Sequence, residues 1–115
     1  MEAKEFAKLF GGFSTEKRVL IIKTLMEAGK EGISLNELSR MTELSVIDIG
    51  IAGEALLMMG LIDIAVRGEH KMLTANYTLL SSLFDEAYHE FGPGRGKRVV
   101  AELTVDPATP SDPPA

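Results

Sequence analysis

The sequence predicts a mainly α domain with a small β-hairpin, its elements in the order ααααββα. Three observations predict it. Two capped helices follow one another across a tight turn between Ser34 and Gly60, and the hydrophobic period switches from helical to alternating just after Gly60. The helical period then resumes near Leu79 until Gly92-Pro93-Gly94 stops it. In a chain of 115 residues with 45% hydrophobic content, these elements can share one modest core, so a single domain is expected.

Residues 2–10 read as a short amphipathic helix with Phe6, Leu9 and Phe10 on one face, ended by Gly11-Gly12. A second helix starts at the Ser14/Thr15 cap and runs to about Ala28, with Val19, Ile22, Leu25 and Met26 at helical spacing. Gly29-Lys30-Glu31-Gly32 is a turn. Ser34-Leu35-Asn36-Glu37 is a capping box, with Ile33 placed to staple onto Leu38, and the helix it opens ends near Met41–Thr42. Ser45 caps the next helix, Leu44 can staple onto Ile49, and Gly60 can end the helix in a left-handed turn. Two capped helices joined this way make a helix-turn-helix.

Beyond Gly60, Ile62, Ile64 and Val66 face one way, with Asp63, Ala65 and Arg67 opposite. Gly68-Glu69 is the hairpin turn, and the return strand carries Leu73, Ala75 and Tyr77 on one face. The last helix, from about Leu79 to Phe91, sets out Leu80, Leu83, Phe84, Ala87, Tyr88 and Phe91 as apolar positions. Residues 1–91 are therefore expected to form the domain. Residues 92–115 are expected to form a tail that is basic at Arg95-Gly96-Lys97-Arg98, strand-like over Val99–Val105, then Pro-rich and disordered.

Composition narrows the function classes. Cysteine is absent, which excludes disulfides, thiolate metal sites and cysteine-based redox sensing. The net charge of −5 argues mildly against unguided nucleic-acid binding, because phosphate contacts need a positive footprint. MEAKEFAKLF lacks a signal-peptide layout and no apolar run approaches a membrane span, so a cytoplasmic location without membrane contact is expected. No Gly-rich phosphate loop follows a strand, and no Ser/His/Asp set sits in a local catalytic motif. The chain is not expected to be an enzyme or to carry a cofactor.

The element order resembles a winged helix-turn-helix of the ArsR family of bacterial regulators, over roughly Phe13 to Phe91. The residues that carry the resemblance are Lys17-Arg18-Val19-Leu20-Ile21-Ile22, Leu35-Asn36-Glu37-Leu38, and Leu56 with Gly60-Leu61-Ile62. Tyr77-Thr78-Leu79 resembles the end of the family's second wing strand. The resemblance implies a homodimer built from the first and last helices, with Phe6, Leu9, Phe10, Leu80, Leu83, Phe84 and Tyr88 at the interface. It also implies that Val46–Met59 faces the major groove of double-stranded DNA and that the Arg67–Lys71 wing lies near the phosphates.

The recognition helix departs from that pattern. Where the family has small hydroxyl residues and then a basic or imidazole pair, this chain has Val46, Ile47, Asp48, Gly50, Ile51 and Ala52, and Ser45 alone fits. Residues 34–62 hold one base, Arg40, against Glu37, Glu43, Asp48 and Glu54, a local charge of −3. An acidic helix in a major groove meets repulsion and offers few donors to guanine, which argues against specific base reading. At helical spacing Ile49, Ala52 or Gly53, and Leu56 form an inward stripe, leaving Ile47, Ile51 and Met58 as an outward apolar one. Such a stripe, if exposed, marks a protein-partner surface. A register shifted by one residue would instead place it in the core.

Lys17, Arg18, Arg67 and Lys71 are candidates for phosphate contacts, together with Arg40 and Ser45 in the helix-turn-helix; a solvated surface charge is the plain alternative for each base. His89 shares a helix with Asp85, Glu86 and Glu90, but only two histidines exist and the chain breaks at Gly92-Pro93, so a solvated polar face is expected and no metal site. His70 reads as a surface residue. Two functions follow: a dimeric ArsR-like transcriptional regulator with weak or atypical DNA readout, or a repurposed winged helix that does not bind DNA and uses Ile47, Ile51 and Met58 for a protein partner.

Overall fold

Four polar side chains set where helices begin. Thr15 Oγ1 accepts the Arg18 N–H at 3.1 Å, Ser34 Oγ that of Glu37 at 3.2 Å, Ser45 Oγ that of Asp48 at 3.0 Å, and Asn76 Oδ1 that of Leu79 at 3.1 Å. Each satisfies a donor that the first helical turn leaves without a carbonyl. The computed structural model describes residues 1–93. Its helices are α1 (Ala3–Phe10), α2 (Glu16–Ala28), α3 (Leu35–Thr42), α4 (Val46–Met59) and α5 (Tyr77–Phe91), with a single 3-10 turn at Gly11–Phe13. Its strands are β1 (Ile33–Ser34), β2 (Ile62–Arg67) and β3 (His70–Ala75).

The strands form an antiparallel sheet in the order β1-β3-β2. The β2–β3 hairpin turns at Gly68-Glu69, with Arg67 opposite His70, and Ile33 of β1 pairs with Leu73. The third strand was not expected. It is two residues long and exists because the chain entering α3 runs alongside β3, a long-range pairing that local pattern does not carry.

By packing, the chain divides into two units, Met1–Leu83 and a second beginning at Phe84. The core of the first is built from Leu9, Ile21, Ile22, Leu25, Leu38, Ile49, Leu56, Leu61, Ile62, Leu80 and Leu83, with Ala52 and Ala75 filling small gaps. Helix α2 sits at its centre, against α3, α4 and β3. Its inward stripe is Ile21, Ile22 and Leu25 with Met26 half-buried, whereas Val19 is exposed. The expected stripe was therefore displaced at its N-terminal end.

Tyr77 requires a correction. It is the first residue of α5 and not part of the return strand, so Tyr77-Thr78-Leu79 is helical and α5 starts two residues before the expected Leu79. The cause is Asn76, which caps α5 through Leu79 while its Nδ2 donates to the Gly60 carbonyl at 2.8 Å and its N–H to that of Leu61 at 2.9 Å. One residue thus ends β3, starts α5 and ties both to the end of α4. Tyr77 turns inward, its hydroxyl donating to the Met26 carbonyl at 2.8 Å.

Candidate nucleic-acid and partner interface

The α3–α4 turn is held by hydroxyls. Thr42 Oγ1 donates to the Leu38 carbonyl at 2.7 Å and accepts the Leu44 N–H at 3.3 Å, while Ser39 Oγ donates to the Leu44 carbonyl at 2.6 Å. These bonds hold Glu43 at φ 60°, a left-handed conformation uncommon for a side chain of this kind. At the other end Gly60 closes α4 at φ 81°, and the Leu61 N–H reaches back to the Leu56 carbonyl at 3.0 Å. With both ends fixed, the rotation of α4 about its axis is set by its apolar stripe. Ile49, Ala52, Gly53 and Leu56 are buried. Ile47, Ile51 and Met58 are 74%, 69% and 80% exposed. The outward apolar row is therefore a surface and not a misread core.

Most of the candidate DNA contacts have partners within the chain. Lys17 Nζ lies 3.3 Å from Asp48 Oδ2, a link from α2 to the first turn of α4. Arg18 folds back, donating to the Gly11 carbonyl at 2.8 Å and to Ser14 Oγ at 3.1 Å. Arg67 sits 3.4 Å from Glu31 and donates to the Lys30 carbonyl at 3.3 Å. Ser45 is occupied as a cap. Lys71 on β3 is exposed and makes no ion pair among the described residues. The i,i+3 spacing of Glu37 and Arg40 was a readable signal for their pairing. The Lys17–Asp48 link joins separate helices and had none.

Arg40 forks onto both carboxylate oxygens of Glu37, with Nε 3.1 Å from Oε1. The hydrogen bonds from Arg40, more than its charge, hold the Glu37 carboxyl below its ordinary value, and the same bonds raise the Arg40 guanidinium. Because the folded-state value of Glu37 is depressed, the stabilisation it brings is present above the ordinary carboxylate range and is lost as pH falls through the lowered value. Arg40→Ala is expected to return Glu37 toward the ordinary value, which a carboxyl-detected NMR titration checks; an unchanged midpoint would exclude the fork.

The expected dimer residues need sorting. Leu9, Leu80 and Leu83 are buried within the protomer's own core, which leaves them little surface of their own. An amphipathic stripe does not say whether it faces its own core or another chain. Phe6 and Phe10 are half-buried, their rings in tilted contact at 51° with centroids 4.7 Å apart, and pack on the core. In the second unit Phe84 and Tyr88 are exposed. The basic cluster Arg95-Gly96-Lys97-Arg98 and the strand-like Val99–Val105 lie outside the described residues. Among the described residues, no three His, Asp or Glu side chains gather to hold a metal, and no helix is long and apolar enough to cross a membrane.

Five helices with a small antiparallel sheet, arranged as helix-turn-helix and then hairpin, make a winged helix-turn-helix fold. Among solved structures the chain is similar to an ArsR-like transcriptional regulator from Rhodococcus sp. RHA1, with 22% identity over 89% of this chain and 90% of that one, at a TM-score of 0.66. No protein-family model matches the chain, and no curated protein matches it. The likeness is one of fold.

Proposed function

We propose that this chain is a dimeric winged-helix regulator of transcription, acting in the cytoplasm, whose hold on double-stranded DNA is weak and poor in base readout. The observation that carries this reading is the α3–turn–α4 unit with its hairpin, an arrangement shared with a solved regulator. Lys71 is available for a phosphate, and Lys17 and Arg67 sit in exposed pairs that are released at little cost. Self-association falls to the exposed Phe84 and Tyr88 rather than to the core leucines. Titration of the purified protein with duplex DNA across salt concentrations tests the reading. Two or three phosphate contacts predict a log–log salt slope of about −2 to −3, with little difference between its own upstream duplex and a scrambled one. Absence of binding at the lowest salt overturns it, and a stable monomer at micromolar concentration in sedimentation overturns the dimer.

A specific observation favours a second reading. The outward face of α4 is apolar and acidic where a DNA reader carries donors, and Arg18 and Arg40 are engaged within the chain. This geometry suits a winged helix that has left DNA and binds a protein through Ile47, Ile51 and Met58.

A further inference from the structure

Ile47, Ile51, Glu54 and Met58 fall within an arc of about 60° when α4 is wound at 3.6 residues per turn. That arc lies opposite the buried stripe, and its three apolar members are the most exposed large hydrophobic side chains on the helix. On one flank a groove of about 470 Å³ opens between the first turn of α2 and α4, its charged lining Glu16, Lys17, Arg18 and Asp48 and its apolar lining Ile51 and Ala52. Ile51 belongs to both row and groove. On the other flank Gly50 leaves the backbone open, with no atom within 4 Å of where a Cβ would stand.

The charges around this surface are unequal. Asp48 is answered by Lys17, while Arg18 keeps its charge on the groove wall but has its guanidinium tied to the neutral Gly11 carbonyl and Ser14 hydroxyl, leaving one cation against three carboxylates. Glu16 on the groove, Glu54 within the row and Glu43 in the preceding turn are exposed and make no ion pair among the described residues. An apolar row edged by uncompensated carboxylates repels phosphate. It also disfavours a second copy on the same face, which would bring one Glu54 toward another. What it complements is apolar along its centre and positive at its edges.

We infer that this surface docks a basic amphipathic helix of a partner protein. The partner's apolar row lies along Ile47, Ile51 and Met58, one of its side chains enters the groove beside Ile51, and its lysines or arginines face Glu16 and Glu54. The inference rests on the second reading above and adds to it the chemistry of the partner.

Two synthetic amphipathic helical peptides test it, sharing one leucine row and differing only in lysine or glutamate on their flanks. The lysine peptide is expected to bind about ten-fold tighter at low salt, the sum of two or three exposed charge pairs, and this preference shrinks as salt rises. Glu16→Gln with Glu54→Gln is expected to reduce the preference several-fold. Ile51→Ser is expected to weaken the lysine peptide about ten-fold, from the apolar area withdrawn from the contact. All these side chains are exposed, so the fold, checked by circular dichroism, stays intact. Equal binding of both peptides that is still lost with Ile51→Ser overturns the basic partner while leaving the docking face standing. Binding of neither overturns both. Methyl signals of Ile47, Ile51 and Met58 that move with protein concentration alone, or with duplex DNA, assign the face to a second copy or to DNA and overturn the proposal.

Discussion

Leu56→Ala is expected to destabilise the first unit by about 3–5 kcal/mol, the range for a fully buried leucine whose cavity cannot collapse. Met58→Ala, two residues along the same helix, is expected to change stability by no more than about 0.5 kcal/mol. Leu56 is wholly buried and its Cδ2 lies 3.3 Å from where a Cβ on Gly12 would sit, so backbone crowds the space it fills. Met58 is 80% exposed. Against a total stability of about 5–15 kcal/mol for a small domain, the first substitution removes a large share and the second almost none. Urea midpoints at unchanged slope measure both. The contrast matters for function, because the register that buries Leu56 is the one that exposes Ile47, Ile51 and Met58. Equal losses at the two positions would place the outward row in a core and remove the basis of the partner surface.

Gly32→Ala is expected to cost about 2–4 kcal/mol, more than an ordinary surface substitution, through backbone strain and collision together. Gly32 sits at φ +75°, and a Cβ there would meet the Leu73 carbonyl oxygen at 2.6 Å and Thr74 Cγ2 at 2.7 Å. The oxygen belongs to the β3 backbone, and Leu73 is the residue that pairs with Ile33 of β1. Relief therefore requires the β1–β3 pairing to shift, and with it the seat of the hairpin. Gly68→Ala is the control: φ is +64° in the hairpin turn but no atom lies within 4 Å, so only the strain of about 1 kcal/mol is expected. Denaturation midpoints separate the two, and faster amide exchange in β3 is expected for Gly32→Ala alone. Similar losses at both sites would mean that collision with Leu73 contributes nothing.

Much of this architecture was legible because it is written locally. A cap and the N–H it accepts are three residues apart, so Thr15, Ser34 and Ser45 announced their helices without knowledge of the fold. The α4 register was legible for a related reason: Ile49, Ala52, Gly53 and Leu56 share one helical side, and burial of that side exposes the opposite one. Features set by distant residues were not legible. Strand β1 depends on Leu73 and Met72, and the Lys17–Asp48 link joins α2 to α4. Tyr77 alternated correctly with Leu73 and Ala75 and yet began a helix, because Asn76 had a cap to make and a Gly60 carbonyl to satisfy. The dimer residues show the same limit: Leu9, Leu80 and Leu83 were read correctly as an apolar face, but only packing shows that the face is used inside the protomer.

The site was half legible. The absence of base-reading side chains on α4 was plain from composition, whereas the engagement of Lys17, Arg18 and Arg67 within the chain required the folded geometry. Both point the same way, since a helix without donors, flanked by cations that already have partners, has little with which to tell one base pair from another.

Selection of binding sites from a randomised duplex pool tests that claim most directly. On the proposed reading, sequences retained after several rounds at low salt are expected to show no enriched motif beyond a general preference for duplex, because the contacts it assigns are to phosphates. A defined motif whose enrichment disappears with Ile51→Ala would show that α4 reads bases and would contradict the account.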